Sequence, residues 1–157
     1  MINPTITISQ SEYEYLVEQA KIVKFIEYYK PSICNDGESG TYEMVVGSDG
    51  LITTVRYGTL SECVKCAIED IRAMQSVYWV GEETEIYAGN SLEEILNEFF
   101  SEGDRKEILK DNLYGEVDLN QKYPVKEDSS SIAIEKTIKE LLEEIVTFPD
   151  LILTSYN

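Results

Sequence analysis

The chain holds 157 residues, with 30 Asp and Glu against 13 Lys and Arg and no histidine, giving a formal charge of −17. Such a surface repels nucleic acid and anionic membranes and attracts basic proteins and cations. The missing histidine excludes His-based triads and His metal ligation, and an apolar fraction of 43% with 10% aromatics excludes a disordered acidic tail.

The length fits one domain, residues 1–157. Thr5 to Ile8 alternates β-branched residues and predicts a short strand. Ser9 followed by Glu12 reads as a capping box, opening a helix to about Tyr29. Leu16, Val17, Ala20, Val23 and Ile26 give that helix an apolar stripe, and Pro31 stops it. Residues 31–41 read as a Gly- and Asp-rich loop. Tyr42 to Val46 and Leu51 to Tyr57 flank Gly47-Ser48-Asp49-Gly50, a hairpin signal. Ser61 reads as the cap of a second helix to about Gln75, with Val64, Ala67, Ile68, Ile71 and Met74 on one face.

Val77 to Val80 and Glu85 to Ala88 predict two strands around Gly81. A third helix starts at Ser91 and carries Leu92, Ile95, Leu96, Phe99 and Phe100. Asp104 reads as the cap of a short helix to about Leu113. The polar stretch 114–131, with Pro124 and Ser129 to Ser131, holds a linker candidate at 119–131. A C-terminal amphipathic helix is expected over 132–148, with Ile134, Ile138, Leu141, Leu142 and Ile145 on one face. Glu135 and Lys139 would pair on it, and Pro149 would end it. The class is α+β: a small antiparallel sheet with about four helices.

The acids concentrate between Arg72 and Arg105, a stretch without any basic residue. It holds Glu82, Glu83, Glu85, Glu93, Glu94, Glu98, Glu102 and Asp104. Glu94, Glu98 and Glu102 are spaced by four, so on one helix they would form a row with steps of ~6 Å. Like charges at that spacing repel, and an anion at a helix C-terminus is disfavoured. A solvated face that aids solubility is one reading. The other is an imitation of a phosphate backbone, which carries one charge per ~1.7 Å of duplex axis.

In size and charge the chain resembles small acidic proteins of phages and other mobile elements that block host defence nucleases. Anti-CRISPR and anti-restriction DNA mimics belong to that group, and acidic immunity proteins that neutralise toxin nucleases are also similar. Its opening, Ile6-Thr7-Ile8-Ser9 followed by Glu12-Tyr13 and Leu16, is similar to the starts of small phage proteins. The resemblance implies an inhibitor rather than an enzyme and leaves the architecture open.

Candidates for chemistry are few. Cys63-Val64-Lys65-Cys66 is a CxxC just inside a helix start, and Cys34 is the third cysteine. A zinc site needs four ligands, so buried structural cysteines are the plainer reading. An odd cysteine count suits a reducing compartment. Asn35 to Gly40 and Ser48 to Gly50 lack the spacing of a calcium loop and read as turns. No phosphate loop or nucleophile elbow occurs. Trp79 is the only tryptophan, in a strand beside Tyr78; these two and Tyr87 are candidate apolar anchors.

The sequence therefore predicts a non-enzymatic inhibitor whose acids from Glu82 to Asp104 dock on a basic nucleic-acid groove of a nuclease or CRISPR effector. Alternatives are an immunity protein for a toxin nuclease, a carboxylate enzyme or ligand domain, and a structural or assembly protein of a mobile element. The footprint could instead lie on the first helix around Glu12, Glu14 and Glu18. No cofactor, metal, direct nucleic acid or membrane is expected, and homo-oligomers are allowed. With no basic n-region at the start and no ~18-residue apolar run, a soluble cytoplasmic protein is expected.

Overall fold

A computed structural model describes residues 9–48, 51–126 and 132–154. The architecture is α+β, as the sequence predicts, with five helices and three antiparallel sheets among the described residues. The expected strand at Thr5 to Ile8 and the serines Ser129 to Ser131 lie outside them. The chain divides into two units, residues 1–69 and 70–157.

In the first unit, α1 (Gln10–Tyr29) begins at the expected capping box. The Ser9 hydroxyl accepts from the Glu12 backbone N–H at 3.2 Å, and the Glu12 carboxylate accepts from the Ser9 N–H at 2.8 Å. The Ser9 N–H, and then the Ser9 hydroxyl donating to the same carboxylate at 2.7 Å, hold the Glu12 carboxyl below its ordinary range. Their contribution is present above the unfolded-state pKa and fades as pH falls through the lowered one. Lys30, in the left-handed region at φ 47°, closes the helix before Pro31.

The buried face of α1 is not the expected stripe. Ile22, Phe25 and Tyr29 are buried, whereas Leu16, Val17, Ala20 and Val23 are exposed. The helix is apolar on two sides, and it packs against β2 (Thr41–Ser48).

Residues 31–41 are only partly loop. They contain β1 (Ser32–Asp36), which pairs with β2 from Ser32↔Val45 to Asp36↔Thr41. The turn begins after Asp36, whose carboxylate accepts from the Ser39 hydroxyl at 2.7 Å and the Glu38 N–H at 3.1 Å. The expected hairpin forms: β2 pairs with β3 (Leu51–Tyr57) from Tyr42↔Tyr57 to Ser48↔Leu51. Then α2 (Leu60–Ala73) is capped by Thr59 rather than Ser61, because the Thr59 hydroxyl accepts from the Glu62 N–H. Val64, Ala67, Ile68 and Ile71 are buried as expected, while Met74 lies past the helix and is exposed.

In the second unit, β4 (Ser76–Val80) and β5 (Glu82–Gly89) form the expected hairpin through Gly81, φ 82°. They are the centre of a sheet ordered β6-β4-β5-β9, with β6 (Tyr114–Glu116) and β9 (Asp150–Leu153) at its edges. Between β5 and β6 in the chain come α3 (Leu92–Phe99) and α4 (Glu102–Asp111). Val80, Tyr87, Ile95, Leu96 and Ile108 form a buried cluster, with Tyr78, Leu92, Phe100 and Tyr114 packed against it.

The C-terminal third corrects the sequence reading. Within the linker candidate, β7 (Lys122–Val125) pairs with β8 (Ile134–Thr137), which takes the first part of the expected helix. Helix α5 is short, Ile138–Glu144. Ile134 is exposed, so only Ile138, Leu141 and Leu142 of the expected stripe are buried, with Ile145 half-buried. Thr137 and Glu140 form a second capping box, which fixes the helix start. Glu135 is therefore in a strand, and Lys136 pairs instead with Glu144 at 2.9 Å. At the other end the Arg72 guanidinium donates to the Glu143 and Ile145 carbonyls at 3.0 and 3.1 Å, satisfying groups that a helix C-terminus leaves unpaired.

Candidate functional site

The acids of the expected strip come from three elements. Glu82, Glu83 and Glu85 open β5; Glu93, Glu94 and Glu98 are on α3; Glu102 and Asp104 are on α4. The row Glu94, Glu98, Glu102 does not exist as one helical face. Phe100 ends α3 in an extended conformation, and Ser101 caps α4 by accepting from the Asp104 N–H at 3.3 Å. Asp104 is thus the third residue of α4 and not its cap. Glu102 lies in the first turn, where the helix dipole favours an anion, and pairs with Lys106 at 2.6 Å.

Half of the strip is committed to internal bonds. The Glu94 carboxylate accepts from the Asn90 backbone N–H at 2.6 Å and the Asn90 amide at 3.0 Å. Asn90 in turn accepts from the Gln75 amide at 3.1 Å, so Glu94 anchors the turn from β5 into α3. Glu85 accepts from the Thr154 hydroxyl and Asp104 from the Ser101 hydroxyl. Glu82, Glu83, Glu93 and Glu98 are exposed, and their carboxylates make no hydrogen bond or ion pair among the described residues. Glu83 reaches the Tyr123 phenol electrostatically: burial pushes that phenol up, and the Glu83 charge adds to the rise.

Glu94→Ala is expected to cost ~1–2 kcal/mol, because it strips the partner from the half-buried Asn90 N–H and amide. Glu98→Ala should stay within ~0.5 kcal/mol. Urea denaturation of both variants checks this, and equal costs would remove Glu94's anchoring role.

The aromatic candidates are less free than expected. Tyr87 is core: it is 8% exposed, and its ring centroid lies 5.1 Å from that of Phe99 and 5.5 Å from that of Phe100. Burial, with Glu85 nearby, pushes its phenol above the ordinary value. Tyr78 packs on the same cluster. Trp79 is half-buried against Gly115 of β6, its direct strand partner.

Between α3 and α4 lies a feature that charge alone did not reveal, a trough of about 600 Å³. Leu92, Leu96 and Leu109 supply its apolar surface; Glu93, Glu102, Arg105 and Lys106 supply charges, and the Arg105 guanidinium bonds the Asn97 side chain. The sequence held one signal for it. Leu109 follows Ile108, the buried residue of α4, and so points an apolar side chain off the core face.

All three cysteines belong to the unit of residues 1–69. Cys63 is buried, and its thiol donates to the Tyr42 carbonyl at 3.2 Å, with burial pushing its pKa up. Cys34 is exposed on β1 and Cys66 is half-buried. No group of three or more Cys, Asp or Glu with metal-binding geometry occurs among the described residues. No helix among them is long and apolar enough to cross a membrane. Comparison with protein-family models, curated proteins and solved structures finds no match to this chain.

Proposed function

We infer that the protein is a non-enzymatic inhibitor that binds the basic nucleic-acid-binding surface of a nuclease or CRISPR effector in place of nucleic acid. The observation that carries this reading is the exposure of Glu82, Glu83, Glu93 and Glu98 without internal partners, in a chain of charge −17. Exposed carboxylates without counter-ions keep their full field. A groove lined with Lys and Arg would gain by replacing its own counter-ions with them. The gain falls mostly on the association rate and weakens with salt. Glu94 and Tyr87 drop out of the contact set, because one is bonded internally and the other is core.

The test is cleavage by a panel of restriction endonucleases, toxin nucleases and CRISPR effectors, with and without the protein. At least one should be inhibited, less so as salt rises from about 50 to about 200 mM. Reversing Glu82, Glu83, Glu93 and Glu98 together to Lys should weaken that inhibition roughly tenfold or more while the far-UV spectrum is unchanged. Undiminished inhibition by the reversed variant would exclude this face. A panel without any inhibited member would remove the reading.

A further inference from the structure

We propose that α1 pairs antiparallel with α1 of a second copy of this chain, along the apolar stripe that faces away from the core. The proposal concerns the unit of residues 1–69 and is independent of the inhibitor reading. At about 100° per residue, Tyr13, Leu16, Val17, Ala20 and Val23 fall on the side of α1 opposite Ile22, Phe25 and Tyr29. All five are exposed, with Tyr13 at 56%, Leu16 at 54% and Val23 at 52%. Tyr13, Leu16, Ala20, Val23 and Glu27 alternate steps of three and four residues, the spacing of a seam between two helices. The apolar part of that seam is ~15 Å long. Its middle residue is Ala20, whose small side chain lets two helix axes approach closely.

The charges of α1 name the occupant. Glu12, Glu14 and Glu18 lie in its first half; Lys21 and Lys24, with Glu27, lie in its second, and Lys30 follows at the cap. Glu18 pairs with Lys65 at 3.2 Å. Glu14 accepts from the neutral Gln10 amide at 2.8 Å, so its charge stays uncompensated. Lys24 is exposed and makes no ion pair among the described residues. Such a gradient is self-complementary about a twofold axis through Ala20. There Glu14 comes within ~3 Å, along the axis, of the level of Lys24 of the second copy. Tyr13 comes level with Glu27 of the second copy, and a phenol can donate to that carboxylate. Each contact forms twice. A parallel pair would instead set Glu14 against Glu14 and Lys24 against Lys24. A uniformly basic or acidic partner would match one half of α1 and repel the other.

The net charge opposes self-association, but unevenly. Residues 1–69 hold ten acids against five bases, so most of the −17 belongs to residues 70–157. Exposed charges further apart than ~8 Å are largely screened at physiological salt.

The test is sedimentation equilibrium of the full chain from ~1 to ~200 μM. The mass should rise from 17.9 kDa toward twice that value. Leu16→Gln with Val23→Gln removes the apolar seam without changing the charge and should hold the mass at the monomer. Glu14→Lys alone and Lys24→Glu alone should each weaken the dimer about tenfold. An equimolar mixture of those two variants should regain it, because each supplies the charge that the other lacks. Glu14→Lys also lowers the net negative charge, so a general charge effect would strengthen the dimer instead. All four positions are exposed on the helix, and far-UV circular dichroism checks that each variant keeps its fold.

A monomer at every concentration overturns the proposal, in favour of an unrelated occupant or a solvated stripe. A dimer that survives the Leu16→Gln, Val23→Gln change overturns it in favour of another face. A dimer that the single charge reversals leave unchanged or strengthen overturns the antiparallel pairing.

Discussion

Replacing Phe25 with alanine is expected to cost ~3–5 kcal/mol, the scale of emptying a fully enclosed aromatic site. Leu16→Ala on the same helix should cost less than ~0.5 kcal/mol. Phe25 is 0% exposed and its ring centroid lies 4.8 Å from that of Tyr29, whereas Leu16 is 54% exposed. The contrast is informative because the apolar spacing of α1 by itself favours Leu16 as the core residue. Urea transitions followed by far-UV circular dichroism give both values. If the two substitutions cost the same, the face assigned to the core is wrong. A net stability of ~5–15 kcal/mol is usual for a domain, so the Phe25 variant should show a large fall in midpoint.

Gly115→Ala should be damaging for so small a change, at ~1–3 kcal/mol. Gly115 pairs directly with Trp79 across β6 and β4. A Cβ there would overlap the indole Nε1 and approach Cε2 to 2.9 Å. The ring would have to leave its place across the strand, or β6 would have to move from β4. Gly37→Ala is the matched control, since a Cβ at Gly37 meets nothing within 4 Å. That change should be neutral or slightly stabilising through the unfolded state. Thermal melts of the two variants decide it: a Gly115→Ala midpoint equal to that of Gly37→Ala would mean that Trp79 is not held by close approach.

Where short-range chemistry decides, the sequence was sufficient. Ser9 with Glu12 starts α1, Ser91 starts α3, and Gly81 turns β4 into β5. Where a distant partner decides, it was not. Ile134 fits a helical stripe with Ile138 and Leu141, yet pairing with Val125 draws it into β8. The true start was nevertheless written in the chain, because Thr137 and Glu140 repeat the Ser9 and Glu12 signature. The acidic site divides in the same way. Its charge was legible residue by residue, but its continuity rested on one uninterrupted helix through Glu94, Glu98 and Glu102. Ser101 with Asp104 is itself a start signal, and it breaks that row. Exposure added what spacing could not: which carboxylates are bonded inward, and that Leu109 stands open beside the trough.

The position of the single tryptophan has an optical consequence. Trp79 lies in the unit of residues 70–157, while tyrosines occur in both units. Emission excited at the red edge of the absorption band, where tyrosine is silent, therefore speaks for one unit alone. Tyrosine emission carries both. The native chain thus holds a built-in reporter for the part that presents the acids and the trough, with no label needed.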